Sequence, residues 1–296
     1  MTRAPFGLSC ALSTPFRPDG EVALDLLLGH ARWCLAKGCD SVTVFGTTGE
    51  GASLGLGSRE RVLGAMASAG LTMRRELVGG VAAASLEEAE AQARQILDAD
   101  ARALLVAPPF YFKEPSDDGV FAWFAALFAR LGGRARDIIL YNIPSVTQVE
   151  LGVELISRLR DAFPEVIIGV KDSSGNFAYT QRLLAQHKDL SILVGDERSL
   201  GAAMRVGGEG SICGVANLFP ERMGAMIRDR ADDEKITALV EVLVRYPVIP
   251  AVKALIAHRS GDPAWLAVLP PLTEIAPALA EGLAAAYDAI FAARTA

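Results

Sequence analysis

Histidine is scarce in this 296-residue chain, and the three present, His30, His187 and His258, lie far apart. Cys10, Cys34, Cys39 and Cys213 show no CxxC spacing. The two shortages leave no ligand pattern for a structural zinc site, and the cysteines read as reduced, mostly buried thiols. Positive charge is also short: 29 Lys and Arg face 35 Asp and Glu, the net charge is −6, and the basic residues are scattered. A surface that tracks phosphates needs clustered cations, so nucleic-acid binding is excluded. No apolar run approaches the length of a membrane span. The N-terminal MTRAPFGLSCALSTPF, with Pro5 early and a short apolar stretch, does not read as a targeting segment. The expectation is a soluble cytoplasmic protein with no membrane contact.

Apolar material is plentiful, at 51% of residues, with 28 glycines. That suffices for a sizeable α/β core, and the length suits an α/β barrel with an addition. Eight short β-rich runs alternate with stretches of helical periodicity: GLSCALST from Gly7, SVTVFG from Ser41, LVGGV from Leu77, ALLVAP from Ala103, IILYNI from Ile138, VIIGVK from Val166, SILVGD from Ser191 and SICGVA from Ser211. Several are apolar throughout, as strands covered on both faces must be. Eight parallel strands close most naturally into a (β/α)8 TIM barrel. An open doubly wound sheet would announce itself with GxGxxG after an early strand, and none follows the first run. After about Met223 the pattern is helical alone, so the expected division is a catalytic barrel over 1–232 and a C-terminal helical domain over 233–296.

Barrel active sites lie at the C-terminal ends of the strands. There the second run leads into Gly46–Gly51, the fourth into Pro108, Pro109, Phe110 and Tyr111, the fifth reaches Tyr141, the sixth Lys171, and the seventh Gly195 and Asp196. Of six lysines, Lys171 alone ends an apolar run, while Lys37, Lys188 and Lys235 fit exposed positions. Burial disfavours an ammonium and frees the amine, which can then condense with a ketone or aldehyde. The competing reading is a lysine whose stem packs and whose head reaches water or pairs with Asp172. Tyr141 ends the neighbouring strand, about 4.8 Å away, close enough for acid-base exchange with that amine. It equally reads as a barrel-lining aromatic. The glycines at 46–51 are a tight turn, or a cradle whose backbone N–H groups bind a carboxylate beside Thr47 and Thr48. An amine, a phenol, two threonine hydroxyls and a carboxylate site together describe a pocket for a 2-oxo acid such as pyruvate. A metal-dependent aldolase would need converging His, Asp or Glu ligands, and no histidine stands at a strand end.

GTTGEG at Gly46–Gly51, YNIP at Tyr141–Pro144, GVKDSSGN around Lys171 and VGDE at Val194–Glu197 occur in the order and spacing of the dihydrodipicolinate synthase and N-acetylneuraminate lyase family, which the chain resembles over nearly its whole length. The resemblance implies a barrel with a C-terminal helical domain, a homotetramer built from tight dimers, and class I aldolase chemistry without metal or cofactor. It implies that Lys171 forms the Schiff base with pyruvate or another 2-oxo acid and that Tyr141 donates and accepts the proton. Thr47 and Thr48 would bind the pyruvate carboxylate, with the Thr47 hydroxyl in a relay to Tyr141. Ile212, in GEGSICGVAN, would line the pyruvate pocket through its carbonyl, and Gly195 belongs with the substrate-binding residues. Tyr111, in APPFYFK, would reach into a partner subunit's site, although the loop before Pro115 is one residue longer than in the synthases.

Two departures from the synthase pattern bear on the second substrate and on regulation. Synthases carry an arginine five residues after the motif tyrosine to bind the carboxylate of aspartate semialdehyde, and this chain has Val146 there. The loop after GTTGEG lacks the histidines found near the feedback-lysine site, so lysine inhibition has no support. The leading expectation is thus a Schiff-base lyase or aldolase taking a 2-oxo acid and an aldehyde. Dihydrodipicolinate synthase proper is the nearest alternative, and a non-catalytic 2-oxo-acid binding protein the alternative of another class.

Overall fold

A computed structural model describes residues 4–292, and in it the apolar runs form eight parallel strands closed into a barrel in chain order. They are β1 (Gly7–Ala11), β2 (Ser41–Val44), β3 (Leu77–Val81), β4 (Ala103–Val106), β5 (Ile138–Asn142), β6 (Ile167–Asp172), β7 (Ser191–Val194) and β8 (Gly210–Cys213). β1 pairs with both β2 and β8, which closes the sheet and rules out the open doubly wound alternative. Helices alternate with the strands, from Leu24–Ala36 after β1 to Pro220–Asp229 after β8. Three more, Glu234–Leu243, Val248–Ser260 and Pro277–Phe291, follow in the stretch that reads as helical alone.

The strands are apolar on both faces because both faces are covered. Val78, Leu105, Ile139, Leu193 and Ile212 fill the barrel, while Leu104, Val106, Leu140, Val170 and Ile192 pack outward against helices. Each such burial stabilises by roughly 1.5–3 kcal/mol. Ser85, Ser116 and Asn176 cap the helices that follow β3, β4 and β6, accepting the N–H groups of Glu88, Gly119 and Tyr179. Each cap is worth about 1 kcal/mol and sets where the chain leaves the barrel mouth.

One irregularity decides which way the key lysine points. β5 and β6 start in register with Ile138 opposite Ile167, but the next pair is Ile139 opposite Gly169, so β6 carries one extra residue. Strict alternation from the outward Ile167 would turn Lys171 outward and set Val170 opposite Tyr141. The bulge resets the alternation. Val170 then packs outward, and Tyr141 faces Lys171 across the strand pair. Glycine suits the bulge, because a Cβ on Gly169 would stand 2.5 Å from the Ser191 carbonyl oxygen.

Candidate active site

At the C-terminal ends of the strands, buried Lys171 donates from Nζ to Tyr141 Oη at 3.2 Å, with Nζ 4.2 Å from the tyrosine ring centroid. Thr47 Oγ1 lies 3.3 Å from the same phenol oxygen. Amine, phenol and hydroxyl form one continuous chain. It borders a cavity of about 620 Å³ that Thr48, Gly195 and Ile212 also line. Gly195 gives its N–H to the Asp172 carbonyl at 2.7 Å, and a Cβ there would collide with Ser173 Oγ unless that side chain turned away. Asp172 points away from Lys171's cavity, accepting from Asn142 at 3.2 Å, from Ser174 N–H at 2.9 Å and from Thr180 at 2.7 Å. These three partners account for the carboxylate in place of the Lys171–Asp172 pairing that the sequence left open.

The turn after β2 is closed partly by its own backbone bonds. Glu50 N–H bonds the Thr47 carbonyl and Gly51 N–H the Gly46 carbonyl, both at 3.0 Å, so two of its amides are spent inside the turn. What the turn offers the cavity is Thr47 and Thr48. Gly49 and Gly51 serve close packing: a Cβ on Gly49 would stand 2.6 Å from the Leu12 carbonyl oxygen, and one on Gly51, or on Gly80 of β3, would run into the Phe45 carbonyl. Phe45 itself holds a left-handed conformation, φ 61°, costly for a bulky residue. Buried Arg59 offsets that cost, lying 4.1 Å over the Phe45 ring and donating to the Gly80 and Gly51 carbonyls.

Tyr111 does not join this group within one chain. The residue is 72% exposed, and its ring meets Phe112 edge-on at 5.2 Å. Two acidic residues that the motifs did not single out do matter. Glu197, inside VGDE, is buried on the cavity wall and accepts the Val215 N–H at 2.9 Å. Burial raises its pKa above the ordinary carboxyl value, against the opposing pull of that N–H and of Lys171. Glu50 forms an ion pair with Lys253 at 2.7 Å, both side chains at 0% exposure, which ties the threonine turn to the helix Val248–Ser260.

A family model described as the dihydrodipicolinate synthetase family matches residues 4–289. An uncharacterised DapA-like lyase of Chloroflexus aurantiacus is 32% identical over 98% of this chain and 99% of its own. Among solved structures, dihydrodipicolinate synthase from Agrobacterium tumefaciens is 51% identical with a TM-score of 0.94, covering 97% of this chain and 99% of that one. YagE, an E. coli K12 prophage protein of the dihydrodipicolinic acid synthase family solved with pyruvate, shares the fold at a TM-score of 0.85 and 20% identity, over 96% of this chain and 98% of that one.

Proposed function

This chain belongs to the dihydrodipicolinate synthetase family, a family of lyases and synthases, and we propose that it acts through a Schiff base between Lys171 and pyruvate or a related 2-oxo acid. The observation that carries the reading is the Lys171–Tyr141–Thr47 chain at the cavity floor. Lys171 Nζ attacks the C2 carbonyl, and the carbonyl oxygen, protonated through Tyr141, leaves as water. Loss of a methyl proton gives the enamine, whose C3 bonds to an aldehyde carbon while the aldehyde oxygen takes a proton. Water then hydrolyses the imine, freeing a 4-hydroxy-2-oxo acid and the amine. Run backwards, the same steps cleave that product. Thr47 and Thr48 hold the 2-oxo acid's carboxylate beside the imine carbon, and Gly195 and the Ile212 carbonyl shape the space around it. The test is pyruvate with borohydride: reduction traps a stable added mass at Lys171, and a label elsewhere, or none, overturns the reading.

Tyr141→Phe keeps the ring packing and removes the proton carrier. It should lower kcat on the order of 10² to 10³-fold with stability nearly unchanged, as steady-state kinetics and a thermal melt will show. A variant with full kcat would reassign Tyr141 to packing.

The proposed assembly is a homotetramer built from dimers, supported by the exposure of Tyr111 and by a second cavity of about 310 Å³ that shares Thr47 and Tyr141 with the first and is bordered by Phe110. In it, Tyr111 of one copy completes the relay of the next. A fully active monomer in light scattering would contradict this arrangement. The second reading, dihydrodipicolinate synthase proper, is favoured by the 51% identity to the Agrobacterium protein.

A further inference from the structure

We infer that the second substrate of this site is an aldehyde with an uncharged, apolar substituent, seated on a valine wall at the cavity mouth; the inference rests on the imine reading above. Val146, Val244 and Val248 are 57%, 52% and 48% exposed. All three line the cavity that holds Lys171. They come from separate segments: Val146 from the short helix Pro144–Thr147 after β5, Val244 from the end of the helix Glu234–Leu243, and Val248 from the start of the helix Val248–Ser260. Scattered exposed valines need no explanation, but three converging on one opening from three segments form a surface that an apolar group can cover. Leu243, Ile249 and Leu272 continue that wall.

Charge on the cavity argues the same way. Among the described residues, its only cations are Lys171, committed to the 2-oxo acid, and Arg198. Arg198 is already held by Asp196, Nε to Oδ1 at 3.0 Å and Nη2 to Oδ2 at 2.7 Å. An incoming carboxylate would have to break that two-point pair and then lie beside Asp196, which repels it. Hydroxyls line the cavity too: Ser173 and Ser174 stand two and three residues after Lys171, and Ser145 precedes Val146. Three exposed valines with, among the described residues, no unpaired cation beside them on the cavity fit an aldehyde whose far end is hydrocarbon.

The experiment measures kcat/KM with pyruvate for three aldehydes: isovaleraldehyde, glyceraldehyde and aspartate semialdehyde. Isovaleraldehyde should lead each of the others by about tenfold or more, the discrimination an apolar pocket gives for one or two well-seated carbons. Val248→Asp, and separately the near-isosteric Val244→Thr, should reduce the isovaleraldehyde-to-glyceraldehyde ratio, roughly tenfold for the aspartate. A ratio within one variant cancels any loss of active protein. If glyceraldehyde or aspartate semialdehyde leads, or isovaleraldehyde is not consumed, while the borohydride adduct still forms at Lys171, the inference is overturned and the imine reading stands. If no adduct forms, the imine reading falls and takes the inference with it.

Discussion

Lys171→Ala is expected to abolish both the borohydride-trapped pyruvate adduct and turnover while leaving the barrel folded. No other group on the cavity can replace it: the remaining cation there, Arg198, is a guanidinium held by Asp196, and guanidinium stays protonated and non-nucleophilic. Deleting the side chain leaves Tyr141 with its Thr47 contact, so no buried polar atom is stranded and the stability cost should be small beside the catalytic one. Intact-protein mass spectrometry reads the adduct, product formation reads turnover, and circular dichroism reads the fold. Retained turnover in a folded variant would remove the imine mechanism, because covalent capture needs this amine.

The barrel was legible because parallel strands covered on both faces leave continuous apolar runs, and all eight runs became strands. The placement of Tyr141 and Lys171 at neighbouring strand ends was legible for the same reason. That they share a face was not, since it depends on one extra residue in β6 that has no compositional trace beyond Gly169. Counting residues along IIGVKD without the bulge turns the lysine away from its tyrosine. The 46–51 turn carried an ambiguous signal, because glycines that let Phe45 and Leu12 carbonyls approach closely look the same in sequence as glycines that free N–H groups for an anion. Tyr111 stands outside the site in a single chain, where its contact is with Phe112 of its own loop. Lys253 was invisible as a partner of Glu50 because 203 residues separate them and no local pattern links a helix in the C-terminal segment to a turn after β2.

That buried pair supports the last expectation. Lys253→Met should cost about 3–5 kcal/mol of folding free energy, roughly 10² to 10⁴-fold in the folding equilibrium, read by denaturant titration. Glu50 Oε1 accepts from Lys253 Nζ at 2.7 Å and Oε2 accepts the Leu269 N–H at 2.8 Å, while Nζ also donates to the Ala267 carbonyl and lies 4.5 Å from the Phe16 ring centroid. Removing the ammonium alone strands a carboxylate at 0% exposure, where water cannot replace the lost partner. Glu50→Gln combined with Lys253→Met leaves no buried charge, so the double variant should recover most of the loss, and a double-mutant cycle should return a large coupling energy. Burial also lowers the Lys253 pKa, against the pull of Glu50, yet its amine is enclosed by these partners and should take no pyruvate label. Glu50 bonds the Thr47 carbonyl through its own N–H, so loosening the pair should reach the carboxylate site and raise KM for pyruvate more than it lowers kcat. A Lys253→Met protein within about 1 kcal/mol of the parent would show that the pair is dispensable and that the threonine turn holds its shape without the C-terminal helix.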